Sequence, residues 1–358
     1  MLNDDNHSTM ISFTCRLIAL NLLVALCVLS VASQTEPPTL ELGSHSPTVA
    51  QAQSLLSAGK IDAAIELLRS LPSSPSNDTT VSYLLGLAYY QKTDYARAIE
   101  HLSIAVRQGP ESSRQYRQGV QMIGLSQYLL GHLKEAIPYL EKVGNWSPNN
   151  VEIGYVLGLS YIQTQNPNKA REAFARMFNI QPNSAPAYLI NAQMMIRQRF
   201  EEVAEKELQR ALELDPKLPQ ANFLLGELAI FRANIEGGIE LLQKEIAINP
   251  AFGMAYYRLG EAYTRQLKWD EAVAPLQKSI WLNPYFSGPY IVLGKVHLKK
   301  GDLSNAETIL RRALKMDPNN FSGHHLLAQV LQQANRLEEA KKEFETADKL
   351  RTSADKEQ

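Results

Sequence analysis

The sequence predicts an all-α fold built from repeated pairs of helices, and two periodic features support that prediction. Proline recurs at an interval of 34 residues through more than half of the chain, at Pro148, Pro182, Pro216, Pro250, Pro284 and Pro318. Two small residues, 12 positions apart, recur at the same interval, as in Gly158 with Ala170 and Gly260 with Ala272. A fixed period of this length is typical of a repeat array, in which each unit packs on its neighbours.

The first 33 residues differ from the rest of the chain. The run from Leu17 to Ala32 is almost wholly apolar and follows Arg16. Its length and flanks are typical of a signal peptide, since a membrane-spanning helix usually needs about 20 apolar residues, but an uncleaved N-terminal membrane anchor also fits. Both interpretations predict an exported array, because no Lys or Arg follows the run before Lys60. Residues 34–44 are predicted to be a linker.

About nine repeats fit the register. They start near residues 45, 79, 117, 151, 185, 219, 253, 287 and 321, so the array is predicted to span residues 45–354, with a polar tail at 355–358. The step between the corresponding residues Gly86 and Gly124 is 38 residues rather than 34. This difference predicts a four-residue loop insertion between Glu111 and Tyr116.

Each repeat is predicted to contain two helices. In the repeat from Gly253 to Phe286, apolar residues at helical spacing form two runs, with a break at residues 266–268. The proline that ends a repeat also ends its second helix, because it drives the preceding residue out of helical geometry. At one shared position of the break, four repeats carry residues that tolerate a left-handed backbone, namely Gly59, Gly131, Gly301 and Asn335.

The small residues indicate where the two helices of a repeat cross. Glycine or alanine allows a close approach of the helices, and a leucine there would overpack the joint at about 1–3 kcal/mol. In the sixth repeat, Gly237 and Gly238 open the second helix, where each glycine costs about 1 kcal/mol relative to alanine. Glu245 stands in the same helix at a position where other repeats have alanine. We therefore expect this repeat to be the softest joint, unless the helix end simply tolerates its glycines.

Composition and motifs argue against several classes of function. Beyond residue 33 the chain carries 35 basic and 35 acidic residues, whereas a protein that neutralises many phosphates carries a basic excess, so no nucleic-acid partner is expected. Both cysteines, Cys15 and Cys27, lie in the leader, so the array is expected to hold neither a disulfide nor a cysteine metal site. The sequence contains no catalytic or nucleotide-binding motif and its histidines are scattered, so neither an enzyme activity nor a cofactor is expected.

The repeat resembles the tetratricopeptide repeat family over about residues 45–353. The residues that match the family are the first-helix Gly or Ala, the second-helix Ala (Gly238 in the sixth repeat), a large apolar residue four positions later, and the proline that ends most repeats. Three repeats also match a family tyrosine, at Tyr89, Tyr161 and Tyr263, but no repeat has the tryptophan often found early in the family's first helix. The resemblance implies a right-handed α-solenoid of about nine helix-turn-helix repeats that binds other proteins.

In this family, the first helices line a concave groove. Partner contacts come from positions three before, and one, four and five after, the first-helix small residue, and we call these the lining positions. Carried over to this chain, the candidate peptide-binding residues are Tyr83, Tyr90, Gln121, Tyr128, Tyr155, Gln193, Phe223, Glu227, Tyr257, Glu261, Arg265, Lys295 and Lys299, and further lining positions include Ile162, Arg197, Phe231 and His325. Tyrosine offers large amphipathic contact area, and glutamine can bond to a peptide backbone. The alternative is that some of these side chains, above all Tyr90, Tyr128 and Ile162, pack into the adjacent repeat.

The resemblance and the lining predict a non-catalytic scaffold that binds extended or helical peptide segments of other proteins. Arg265, Lys295, Lys299 and His325 gather towards the C-terminal end of the lining, so we expect an acidic segment or a terminal carboxylate of the partner there. An accessory role in polysaccharide export or protein glycosylation machinery is the alternative, because aromatic rings also stack on sugars. Membrane contact is expected only through the N-terminal segment, and the fainter first repeat is expected to be a cap or an edge for self-association.

Overall fold

The structure, a computed structural model, describes residues 47–71 and 78–356, and all regular structure in these two stretches is helical. The predicted leader and linker lie outside the described residues. The prediction of an all-α helical repeat array is confirmed. The described helices are α1 (Pro47–Ser57), α2 (Ile61–Arg69), α3 (Asp78–Gln91), α4 (Tyr95–Gln108), α5 (Arg114–Leu129), α6 (Leu133–Trp146), α7 (Val151–Gln163), α8 (Pro167–Met177), α9 (Ala185–Arg197), α10 (Glu201–Leu214), α11 (Ala221–Phe231), α12 (Ile235–Ile248), α13 (Gly253–Arg265), α14 (Trp269–Leu282), α15 (Ser287–Lys299), α16 (Leu303–Met316), α17 (Phe321–Gln333) and α18 (Leu337–Lys356).

The chain divides into two compact halves, an N-terminal half (Met1–Pro182) and a C-terminal half (Asn183–Gln358). Within each half, the two helices of a repeat pack as a pair, and the second helix also packs on the first helix of the next repeat, as α14 does on α15. First helices of successive repeats touch as well, α3 with α5 in the N-terminal half, and α11 with α13 and α13 with α15 in the C-terminal half. These first helices are therefore neighbours within their half, and the lining positions lie on them.

A left-handed residue follows the first helix of every repeat. The four predicted positions have positive φ, from 60° at Asn335 to 79° at Gly301. The same position is also left-handed in the five other repeats, at Thr93, Gln165, Arg199, Ala233 and Leu267. After Leu267, the Lys268 N–H reaches back to the Tyr263 carbonyl at 3.0 Å, which closes the turn in a Schellman motif. The sequence prediction is thus confirmed, and it missed the repeats in which neither glycine nor asparagine marks the turn.

The crossing points of the paired helices have no space for a larger side chain. A Cβ atom added to Gly260 would lie 2.5 Å from Cγ of Leu276, and one added to Gly294 would lie 2.5 Å from Cγ of Leu310. Both leucines are fully buried. The predicted reason for the small residues, close approach of the two helices, is therefore confirmed at these joints.

The register break between the second and third repeats mainly lengthens a helix, and it adds one residue to the connection before that helix. Helix α5 has 16 residues, whereas the corresponding helix α7 has 13. Ser113 begins α5 early, because its hydroxyl accepts a hydrogen bond from the Tyr116 N–H at 3.1 Å. The location of the insertion was predicted correctly, but the prediction of a loop is wrong for three of its four residues, which lengthen α5 from 13 to 16 residues.

The two unusual features of the sixth repeat are contacts between its helices. The Glu245 side chain on α12 is fully buried, and its carboxylate accepts hydrogen bonds from the N–H groups of Gln220 at 2.7 Å and Phe223 at 3.4 Å. It therefore bonds two otherwise free donors at the start of α11. A Cβ on Gly238 would lie 3.1 Å from the Gly226 carbonyl oxygen. These contacts link the two helices of the repeat directly. They do not support the expectation that this repeat is the softest joint.

Candidate functional site

In the N-terminal half, the tyrosines of α3 are buried by their own neighbours. Tyr83 donates a 2.6 Å hydrogen bond from its hydroxyl to Oε1 of Gln118 on α5. Tyr90 packs edge-to-face on Tyr95, with ring centroids 5.8 Å apart, and its buried hydroxyl has no hydrogen-bond partner in the described residues. Burial raises the pKa of Tyr83 to about 12, against the opposing charge of Arg114, and burial also raises the pKa of Tyr90. Both phenols therefore stay neutral at physiological pH.

The other candidate peptide-binding residues of this half, Gln121, Tyr128 and Tyr155, are half-buried, whereas the lining residue Ile162 is buried. Burial raises the pKa of Tyr128 on α5 above its usual range. The Tyr155 ring on α7 packs on Phe174, with centroids 6.5 Å apart. Gln121, with Trp146 and six other residues, lines a cavity of about 270 Å³ at the start of α5 and the end of α6. The Tyr90 ring thus contacts the protein itself, but Tyr95 belongs to the same repeat, so this contact does not decide between peptide binding and packing into the adjacent repeat.

In the C-terminal half, two aromatic lining residues pack on the ring of the last residue of their own repeat. Phe223 on α11 is buried, and its ring lies edge-on to Phe252 with centroids 5.0 Å apart. Tyr257 on α13 has the same arrangement with Phe286, at 5.2 Å. The sequence interpretation missed Phe252 and Phe286 as partners. The signal was present, because each stands 29 residues after its aromatic partner, directly before the next first helix.

Both acidic lining residues share one arginine. Nε of Arg258 on α13 lies 2.8 Å from Oε1 of Glu227 on α11, and its Nη1 lies 2.7 Å from Oε2 of Glu261, one turn further along α13. All three side chains are less than a third exposed. The guanidinium also lies over the Tyr257 ring, 5.4 Å from its centroid. The sequence interpretation treated the two glutamates as free charges and missed Arg258, although its i,i+3 spacing from Glu261 was a signal.

The electrostatics of this triad follow from its partial burial. Burial raises the pKa of Glu227 above its ordinary value, and the charge of Arg258 opposes that rise. Burial lowers the pKa of Arg258, but Glu261 and Glu227 raise it by more, so the guanidinium stays charged. The triad is therefore a fixed, internally paired group at the centre of the lining.

The basic lining residues have no such partners. Arg265 and Lys299 are exposed at the ends of α13 and α15, and Lys295 is half-buried. None of the three forms an ion pair with the residues that the structure describes. His325 on α17 packs edge-on to Phe344 and lies 2.9 Å from the amide nitrogen of Gln329. The structure thus brings the predicted basic residues together on successive first helices without a neutralising group.

The remaining predicted residue, Gln193 on α9, is half-buried, and its Nε2 donates to Oε1 of Gln220 at 3.3 Å. Within residues 47–71 and 78–356, no cluster of three or more His, Cys, Asp or Glu side chains could bind a metal ion. In the same stretches, no helix combines the length and the apolar character that crossing a membrane requires. The chemistry that this surface offers is therefore hydrogen bonding, ring contact and positive charge.

Three family models described as tetratricopeptide repeat match the chain, at residues 128–193 and 297–354, at residues 49–113, and at residues 254–284. Together these matches cover more than half of its length. The chain is 31% identical to Protein CTR9 homolog of Arabidopsis thaliana over 166 residues, which is 44% of this chain and 15% of that protein. It is 28% identical to the BBSome complex member BBS4 of Bos taurus over 144 residues, which is 40% of this chain and 27% of that protein.

Solved structures with a similar arrangement of helices include MamA from Desulfovibrio magneticus RS-1, with 19% identity and a TM-score of 0.44, covering 47% of this chain and 96% of that one. YrrB, described as a TPR protein with an unusual peptide-binding site, has 19% identity and a TM-score of 0.44, covering 50% of this chain and 93% of that one. This chain spans well under a third of either curated relative that it matches.

Proposed function

Since this chain belongs to the tetratricopeptide repeat family, we propose that it is a non-catalytic scaffold that binds peptide segments of other proteins along the lining positions of its first helices. We place the contact in the C-terminal half and assign it an acidic partner segment. The N-terminal half is the weaker candidate, because Tyr83 and Tyr90 are buried and Tyr83 already uses its hydroxyl within the protein.

One observation supports the acidic partner most strongly. Glu227 and Glu261 would repel such a segment if they were free, but both are held by Arg258. Two carboxylates and one guanidinium leave a single negative charge in the triad. The lining also carries four cations without an ion-pair partner in the described residues, namely Arg265, Lys295, Lys299 and, on α9, Arg197. The surface therefore carries a net positive charge, which attracts acidic segments and raises their rate of association.

The test is the binding of labelled acidic and charge-neutral peptides to the full chain, measured by fluorescence anisotropy at low and high salt. We expect the acidic peptides to bind more tightly, and their affinity to fall as salt rises, because surface charges are screened over about 10 Å at 0.1 M salt. The double variant Lys295→Glu, Lys299→Glu should lose this binding. Phe223 and Tyr257 are poor test positions, because both rings support the fold through Phe252 and Phe286.

A matched control separates local from overall charge. Lys341→Glu with Lys342→Glu makes the same change in net charge on exposed residues of α18, outside the lining positions. This control should bind the acidic peptides as the unchanged protein does. Equal binding by the Lys295→Glu, Lys299→Glu variant would refute the proposal. Salt-independent binding of a neutral glycan, with no peptide binding, would favour the role in polysaccharide export or glycosylation instead.

The proposal includes a location outside the cytoplasm, which rests on the apolar run from Leu17 to Ala32. Mass spectrometry of the mature protein would measure its N-terminus. A start near residue 34 would support a cleaved signal peptide, and an intact leader in the membrane fraction would support an anchor. An intact leader in the soluble cytoplasmic fraction would refute export.

A further inference from the structure

One row of lining positions in the C-terminal half is fully exposed. The position five after the small residue is the last residue of each first helix, and in α9, α11, α13 and α15 it is occupied by Arg197, Phe231, Arg265 and Lys299. All four side chains are exposed. None of the three cations has an ion-pair partner in the described part of the chain. We call these four residues the basic row.

Phe231 is the one member of the basic row whose residue type has no evident structural role. A cation at a helix C-terminus interacts favourably with the helix dipole, which gives Arg197, Arg265 and Lys299 a structural role. A phenylalanine gains nothing from the dipole, and the Phe231 side chain is 73% exposed. Exposed aromatic rings between cations are typical of surfaces that bind a partner, where rings and arginines contribute much of the affinity.

The spacing of the row limits what can bind to it. Its members lie on first helices of successive repeats, and α11, α13 and α15 contact one another in turn. Packed helices are about 8–10 Å apart, so we expect Phe231, Arg265 and Lys299 to recur at roughly that interval. A polyproline II segment presents every third side chain on one side at about 9 Å, which matches. A β-strand presents same-side residues at about 6.6 Å, which does not.

We propose, as a refinement that rests on the proposed function, that the basic row selects an extended acidic segment with one residue in three in contact. Carboxylates lie opposite Arg197, Arg265 and Lys299, and an apolar side chain lies against Phe231. Arg197 and Arg265 can each bind a carboxylate through two parallel hydrogen bonds, and Lys299 can pair with the third as a point charge. A polyproline II backbone has no internal hydrogen bonds, so its free groups are available to the neighbouring lining amide of Gln193.

A helical partner is the competing geometry. Residues seven apart on an α-helix lie about 10.5 Å apart on one face, which also approaches the spacing of the row. The helix bonds its own backbone groups, however, and would leave the amide of Gln193 without a peptide partner. The experiment therefore includes both spacings.

The test uses labelled synthetic peptides and the full chain. The first peptide is Glu-x-x-Phe-x-x-Glu-x-x-Glu, made in both chain directions with proline and alanine at x. The second has the same composition with its four contact residues at every second position, and the third carries them at every seventh position in a helix-forming sequence. We expect the first peptide to bind about tenfold more tightly than either of the others.

Variants of the protein test the apolar contact separately. Phe231→Ala should weaken the first peptide about tenfold and should not alter the fold, because the side chain is exposed. Trp281→Ala is the matched control, since Trp281 is 72% exposed and lies on a second helix, α14. It should leave the affinity unchanged.

The outcomes distinguish this inference from the proposed function. Equal affinities for the three peptides, tighter binding of the helical peptide, or no effect of Phe231→Ala would overturn the inference. If Lys295→Glu with Lys299→Glu still abolished binding in that case, the proposed function would stand. If no acidic peptide bound at all, both would fall.

Discussion

Replacing Arg258 by methionine should destabilise the C-terminal half, because the change leaves two partly buried carboxylates next to each other. Removing one partner of a buried ion pair costs about 3–5 kcal/mol. The three side chains of the triad are between 23% and 32% exposed, so solvent reduces that figure, and we expect a loss of about 2–3 kcal/mol in the free energy of unfolding. Methionine keeps the aliphatic bulk, which leaves the charge as the main difference.

The loss should depend on pH, and the sign follows from the pKa of Glu227. Burial raises that pKa above its ordinary value of 4.5. The folded state therefore binds the proton more tightly than the unfolded state, so the carboxyl stabilises the fold most below pH 4.5, and this contribution declines as the pH rises through the raised value. Without Arg258 the pKa should rise further. We therefore expect Arg258→Met to destabilise the protein more at about pH 8 than at about pH 5.

Urea unfolding, followed by circular dichroism at both pH values, measures the effect. Arg210→Met is the matched control, because Arg210 forms an i,i+3 pair with Glu213 on the exposed surface of α10. It should unfold as the unchanged protein does at both pH values. If Arg258→Met were as stable as the control, with no dependence on pH, the triad would not neutralise the lining, and the argument for an acidic partner would lose its main support.

Three further predictions concern the helix joints and turns. Gly260→Ala should lower the free energy of unfolding by about 1–2 kcal/mol, because the overpacking against Leu276 exceeds the gain in helix propensity. Thermal unfolding should show no such loss when Leu276→Ala is already present. Glu245→Ala should cost about 2 kcal/mol by leaving the Gln220 N–H without its acceptor, and Glu245→Gln should cost less; hydrogen exchange at the start of α11 would report the difference. Gly301→Ala should cost about 1 kcal/mol in a urea titration from backbone strain alone, because nothing lies within 4 Å of the added Cβ; an unchanged midpoint would contradict this account of the turn.

The repeat and the crossings of its paired helices could be predicted from the sequence, because the residues that determine them recur at a fixed interval. The small residue at the crossing of Gly260 is required by local sterics, and a small residue recurs there in every repeat. Glycine or asparagine marks the left-handed turn, as at Gly301, in four repeats. The left-handed backbone at Leu267 could not be predicted from its residue type, because leucine has no preference for that conformation. The packing of the two helices imposes it. The helical extension of α5 was missed because an insertion shows only its length, not the capping by Ser113 that begins the helix.

The lining positions were predictable only as a set of candidates. Register placed Glu227 and Phe223 on a common face, but register does not reveal what each side chain contacts. Arg258 lies outside the lining positions and nevertheless offsets the negative charge there, since it binds a glutamate of its own helix and one of the preceding repeat. Burial similarly separates Phe223 from Phe231, two aromatic residues on the same helix, of which the first supports the fold and the second is exposed.

The most direct test of the central claim is hydrogen exchange on the full chain, with and without the Glu-x-x-Phe-x-x-Glu-x-x-Glu peptide at saturating concentration. The account predicts slower exchange in the C-terminal turns of the first helices α11, α13 and α15, with no change in the second helices α14 and α16. The Lys295→Glu, Lys299→Glu variant should show no slowing. Slower exchange confined to the second helices or to the N-terminal half, or equal slowing in that variant, would contradict the claim that unpaired cations on the first helices bind an acidic segment.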